Sequence, residues 1–173
     1  MDAPDVTDDR AVGDLLARVR RVAVLGVSDR FTRPSFRLAA YLLDRTSWDV
    51  DLVNPHVDET LNRMVVPTLA ALPAAPDLVV AFRSPTVLDA VVDEVAASGA
   101  GAVWFPLGAD DGLGSATAVP PAGRAVAPSA SGETITRERI AAAVASAAGR
   151  ARAAGLVAVT GRDLKAEHAR WCG

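Results

Sequence analysis

Short apolar runs alternate with stretches of helical periodicity along most of the chain. Near the start, Val12, Leu15, Leu16 and Val19 recur at helical spacing behind Asp8 and Asp9, which predicts a packed helix capped by Thr7 and running to about Arg20. "RVAVLGV" is a continuous apolar run with glycine near its end, the pattern of a strand buried on both faces, and puts the first strand at Arg21–Val27. Pro34 suits the first turn of the next helix, whose Leu38, Tyr41 and Leu42 form one stripe down to about Arg45. "WDVDLVNP" reads as a second strand, "TLAALP" as a short helical turn and "DLVVAF" as a third strand. Ser84 and Pro85 read as the cap and first residue of a helix that ends at Gly99. "AVWF" follows as a fourth strand, "TITRERIAAAVASAAGRARAAG" as an alanine-rich helix ending at Gly155, and "LVAV" as a fifth strand. The tail "DLKAEHARW" can form one or two last helical turns.

Strands that alternate with helices need crossovers and give a parallel sheet covered on both faces. The expected fold is α/β and doubly wound, with a five-stranded, mainly parallel sheet. In such sheets ligands bind outside the carboxyl ends of the strands, where strand order reverses. From Pro106 to about Glu133 the chain is rich in Gly, Pro, Ala and Ser and shows no period, which is long for a connection within a compact domain. The expected organisation is a helical extension over 1–20 and a single domain over 21–173, with an insertion at about 109–135.

At 173 residues and 50% apolar composition the chain suits one globular domain. Lys+Arg of 18 against Asp+Glu of 21 gives a net charge of −3, so no broad basic field disposes it to nucleic acid. Lys165 is the only lysine, and the remaining positive charge is arginine, which suits planar contacts with phosphate. The single cysteine, Cys172, has no intrachain partner. No apolar run approaches the roughly 18 residues of a membrane helix, and the acidic start lacks the positive region of a signal peptide, so the expected setting is the cytoplasm with no membrane partner.

The candidate chemistry lies at the first strand-to-helix turn. Gly26 closes the strand and Val27–Arg33 leads into Pro34 and Ser35, an arrangement that can turn free backbone N–H groups toward an anion, with Ser28 and Arg33 as side-chain donors. An ordinary connecting turn has the same local sequence. A dinucleotide fingerprint would want glycine where Ser28 and Phe31 stand, and an acidic residue where the second strand ends in Asn54 and Pro55, so NAD is disfavoured. A phosphate loop of the GxxxxGK[ST] type is absent. Lys165, Glu167 and His168 are weak candidates for acid–base work, and equally suit a capped terminal helix whose charges pair locally. His56 is the only other histidine, and a zinc site would want more ligands; no metal is expected. Trp104 and Phe105 read as core.

The segments "VAVLGVSDRFTRPSFRLAAYLL", "LVNP", "DLVVAFRSPTVLDAVVDEVAASGAGAVWFPLGA" and "GLVAVTGRDLKAEHAR", in that order, resemble the small stand-alone bacterial CoA-binding proteins, which are related to the CoA-binding domain of succinyl-CoA synthetase α-subunits. The resemblance covers about Arg21–Ala109 and Gly155–Arg170, and it implies a Rossmann-like fold and coenzyme A, or an acyl-CoA, as the small-molecule nucleotide ligand. It carries the phosphate-binding loop onto Gly26, Val27, Ser28, Arg33, Pro34 and Ser35, and the nucleotide-lining segments onto Asn54, Pro55, Phe82 and Arg83. Arg33 and Arg83 are the preferred cations for its phosphates. Where the family usually reads D-R-C-x-K-x-E-H, this chain has Gly161 and Asp163 in place of the acid and the cysteine, so no thiol function carries over. Ser84 and Pro106 stand where a second arginine and a glutamine are often found.

The leading expectation is a CoA-binding protein without catalytic machinery of its own. The alternatives are a CoA-dependent transferase or ligase component, which would need a second domain that this length does not hold, and an NAD-type nucleotide-sensing module. A homodimer and a protein partner both stay open at this stage.

Overall fold

A computed structural model describes residue 6, residues 8–106 and residues 137–173. The proposed insertion at 109–135 therefore lies outside the described residues, as does Thr7. Helix α1 covers Asp9–Arg18, and its N-cap is Asp8, whose carboxylate accepts from the Ala11 amide at 2.8 Å. The helix starts later than expected because the Asp8 carboxylate satisfies one of the unpaired first-turn N–H groups. Strand β1 (Arg21–Leu25) leads to α2 (Pro34–Arg45), then β2 (Asp49–Val53). After β5 (Leu78–Ala81), Ser84 does cap and Pro85 does open a helical segment, but its first turn, Pro85–Val87, is 3-10 before α3 proper (Leu88–Ala97). Strand β6 (Ala102–Phe105), α4 (Arg137–Ala153), β7 (Val157–Thr160) and α5 (Leu164–Trp171) complete the described fold.

Between β2 and β5 lies a small hairpin that the hydrophobic pattern does not predict, β3 (Glu59–Thr60) paired antiparallel with β4 (Arg63–Met64). Its two turn residues both have positive φ, Leu61 at 53° and Asn62 at 56°. Two-residue hairpin loops need this geometry to match strand twist, and asparagine tolerates it. Leucine does not do so freely, and here its side chain is held by packing against the core.

The five long strands form one sheet in the order β2-β1-β5-β6-β7, with every neighbouring pair parallel. This is the expected doubly wound α/β sheet. A parallel bridge between Val53 and Val66 extends the outer side of β2. Successive side chains of a strand point to opposite faces, and the two cores follow from that alternation. Val22, Val24, Leu78, Val80, Trp104 and Val159 meet α1, α2 and α5 on one face. On the other, Ala23, Leu25, Val79, Ala81, Val103 and Phe105 meet α3 and α4 through Val91, Val92, Val95, Val144 and Ala147. Trp104 and Phe105 are fully buried, and the Trp104 indole N–H donates to the Arg162 carbonyl at 2.9 Å.

The sequence order reverses at β1, whose neighbours are β2 on one side and β5 on the other. The segments leaving the carboxyl ends of β1 and β5 diverge there, and the crevice between them is where this sheet type takes a ligand. Among the described residues, no helix is long and apolar enough to cross a membrane.

Candidate functional site

Gly26 makes the crevice narrow at its base. Its φ is +87°, its N–H donates to the Val53 carbonyl at 2.8 Å, and a Cβ at this position would collide with the Phe82 carbonyl oxygen. Phe82 in turn donates its N–H to the Leu25 carbonyl at 2.8 Å, so the ends of β1 and β5 are stitched together where only hydrogen fits between them. The next residue, Arg83, lays its side chain over this contact, its Cδ 3.3 Å from where a Gly26 Cβ would stand. The Arg83 Nε is buried and has no hydrogen-bond partner among the described residues. Leaving a buried donor unpaired costs about 1–3 kcal/mol, and more for a charged group, so folded proteins seldom keep one without a use for it.

The loop beyond Gly26 is tied at several points. The Ser28 N–H donates to the Ser35 hydroxyl at 3.1 Å, the Arg30 N–H to the Ser28 hydroxyl at 3.1 Å, and the Arg33 N–H to the Arg30 carbonyl at 2.9 Å. Arg33 occupies the N-cap position of α2 but makes no side-chain cap bond, so the helix presents uncapped first-turn amides at the crevice mouth. Pro34 follows at the first helical position, and buried Ser35 sits under the loop with its hydroxyl accepting from Ser28 and still able to donate. Arg30 and Arg37, both exposed, make no ion pair among the described residues. Asn54 enters from the end of β2: its side-chain amide donates to the Val27 carbonyl at 2.7 Å and its side-chain oxygen accepts from the His56 N–H at 2.9 Å. Pro55 and His56 are exposed at the rim. The structure thus brings Gly26, Val27, Ser28, Arg33, Pro34, Ser35, Asn54, Phe82 and Arg83 together at the switch point. It also adds Thr60, whose buried hydroxyl reaches the Ser28 carbonyl at 3.4 Å from the hairpin.

Lys165, Glu167 and His168 lie on α5 and do not form one unit. Glu167 uses one carboxylate oxygen to bind Arg162 at 2.8 Å and the other to accept from the Trp171 indole at 3.1 Å. Arg162 also binds Asp9 at 2.8 Å, and Arg170 meets the other Asp9 oxygen at 2.9 Å, so the start of α1 is fastened to α5. These guanidinium contacts hold the Asp9 carboxyl below its ordinary range. Lys165 is half-buried near the cap supplied by Asp163, which accepts from the Lys165 amide at 2.8 Å. His168 is buried between the edges of Tyr41 and Trp48, with its Nδ1 3.1 Å from the Tyr41 hydroxyl. Cys172 is exposed at the end of the chain. Among the described residues no three His, Cys, Asp or Glu side chains group to hold a metal ion.

Burial pushes the His168 imidazole below its ordinary value of 6.5. The unfolded chain therefore binds this proton more readily than the folded one, and the stability due to neutral His168 is present in full above pH 6.5 and lost as the pH falls through the folded value. Urea midpoints taken from about pH 7.5 to about pH 5 are expected to decline, with a shallower slope in His168→Gln. An unchanged slope in the variant counts against this assignment.

A family model described as a CoA binding domain matches residues 20–169. Uncharacterized protein YneT of Bacillus subtilis (strain 168) is 31% identical over 97 residues, which cover 56% of this chain and 71% of that protein. A hypothetical protein from Pyrococcus horikoshii OT3 superposes with a TM-score of 0.70 at 25% identity, covering 100% of this chain and 98% of the other. A dinucleotide-forming acetyl-coenzyme A synthetase of Ca. Korarchaeum cryptofilum, solved with phosphate and ADP, shares the fold at a TM-score of 0.59 and 16% identity, over 85% of this chain and 27% of its own length. The family match spans both the strand-end crevice and most of the terminal helix. This chain belongs to the CoA-binding domain family.

Proposed function

We propose that the protein binds coenzyme A or an acyl-CoA at the β1/β5 switch point, with the ligand's phosphates against the Ser28–Ser35 loop and the start of α2. The observation that carries this reading is the Arg83 side chain beside Gly26, whose buried Nε has no partner among the described residues. A phosphate oxygen is an acceptor that matches a guanidinium donor, and the uncapped amides of α2 favour the same charge. Arg33 stands at the same helix start and is the second cation of the proposed site. Asn54, Pro55 and Phe82 border the nucleotide in this reading, Asn54 through the loop that it ties down.

The proposed role is binding rather than catalysis. Glu167 and His168, the groups best suited to proton transfer, are engaged with Arg162, Trp171, Tyr41 and Trp48, and none of these contacts involves the loop at the crevice. Isothermal calorimetry with CoA and dephospho-CoA tests the reading. Binding of CoA is expected, with weaker binding of dephospho-CoA. No heat from either at about millimolar concentration overturns the proposal, and equal affinity removes the 3′-phosphate from it.

A further inference from the structure

The backbone of the phosphate loop reverses its facing at Val27. Up to that point the amides look toward β2, since the Gly26 and Val27 N–H groups both approach the Val53 carbonyl, at 2.8 and 3.4 Å. Beyond it the carbonyls look that way instead. The Val27 carbonyl accepts from the Asn54 side chain at 2.7 Å, and the Ser28 carbonyl accepts from the Thr60 hydroxyl at 3.4 Å. In a planar trans peptide the N–H points opposite to the C=O. Holding two successive carbonyls toward β2 and the hairpin therefore turns the next two amides, those of Ser28 and Asp29, away from β2 and the hairpin. The Ser28 amide is taken by the Ser35 hydroxyl. The Asp29 amide has no partner among the described residues. Successive amides on one side of a turn form a concavity that suits an anion.

We infer that Asn54 and Thr60 are positioning residues that hold the Val27 and Ser28 carbonyls away from the crevice and so aim the Asp29 amide at a phosphate of the ligand. The inference rests on the CoA reading for the identity of that ligand, but not for the direction of the amide. It also gives the hairpin a purpose. Thr60 is delivered by a two-residue turn with leucine at φ 53°, a conformation that needs outside support, and strained turns of this kind concentrate where a protein must fix a functional group. Asn54 is further immobilised by the His56 amide and by the bond from its own N–H to the Val66 carbonyl at 2.9 Å, so the residues flanking the hairpin lock the same loop.

The test is a titration of isotope-labelled protein with inorganic pyrophosphate, followed amide by amide in 1H–15N spectra, for the wild type, Thr60→Val, Thr60→Ser and Asn54→Leu. The Asp29 amide is expected to move in the wild type and in Thr60→Ser, which keeps the hydroxyl, and to move little in Thr60→Val and Asn54→Leu. The first-turn amides of α2 should respond in all four, which separates a turned peptide from a collapsed site. An Asp29 amide that stays still in the wild type, or moves equally in Thr60→Val, overturns the inference, and the Thr60 pair decides even if Asn54→Leu does not fold. CoA calorimetry on the same proteins is expected to show binding weakened about five- to tenfold in Thr60→Val. Absence of CoA binding in the wild type sinks the CoA reading alone, whereas equal affinity in wild type and Thr60→Val sinks the positioning role alone.

Discussion

Alanine in place of Gly26 should cost about 3 kcal/mol of stability and abolish CoA binding. Two effects add. A non-glycine residue in the left-handed region costs about 1–2 kcal/mol, and the new Cβ must also displace the Phe82 carbonyl, which disturbs the bond between Phe82 and Leu25 that holds β5 to β1. For a chain of this size the loss corresponds to a fall of roughly 6–12 °C in the melting temperature. Gly155 supplies the control. Its φ is +84° but nothing lies within 4 Å of its Cβ position, so Gly155→Ala bears the conformational cost without the collision. Differential scanning calorimetry of the two variants side by side should show the larger drop at Gly26. Equal drops would mean that the close approach to Phe82 carries no weight.

Arg83→Met should separate binding from folding. Methionine keeps an unbranched apolar stem over Gly26 and removes the buried Nε that has no partner among the described residues. Folding then no longer bears the desolvation of an unsatisfied donor, so the melting temperature should hold or rise. CoA binding should weaken by roughly 1.5–3 kcal/mol, about 10- to 150-fold, if the guanidinium makes a charge-assisted bond to phosphate. A variant that binds CoA as tightly as the wild type would remove Arg83 from the site. One that binds normally but unfolds early would make it a packing residue instead.

The sheet could be read from the sequence because strands buried on both faces leave continuous apolar runs. "RVAVL", "DLVV" and "AVWF" each carry that mark. The hairpin could not, since two residues per strand are too few to show alternation, and Leu61 at its turn is not a residue that announces positive φ. Asn62 was the one local signal. At the site, Gly26, Ser28, Arg33 and Ser35 stand out in the strand-to-helix turn and Arg83 through the family resemblance, but sequence gives no directions for peptide groups. The family resemblance puts Asn54 beside the nucleotide, while its bond to Val27 depends on how β2 and β1 are registered in three dimensions. Thr60 gave no signal at all, because its part depends on a turn that the sequence hides.

The fastening of α1 to α5 has a consequence for the order in which the molecule is completed. A Cβ on Gly13 would come within 2.9 Å of the Trp171 ring, and Asp9 is held by Arg162 and Arg170, so α1 is secured by residues that follow it far along the chain. A ribosome releases residues 9–18 well before residues 162–171. Until residues 162–171 emerge, the amino-terminal helix has lost neither its entropy nor its exposure to proteases through these contacts, however well the central strands have already paired. The docking of α1 therefore waits for residues 162–171 to be made, although every strand of the sheet precedes them.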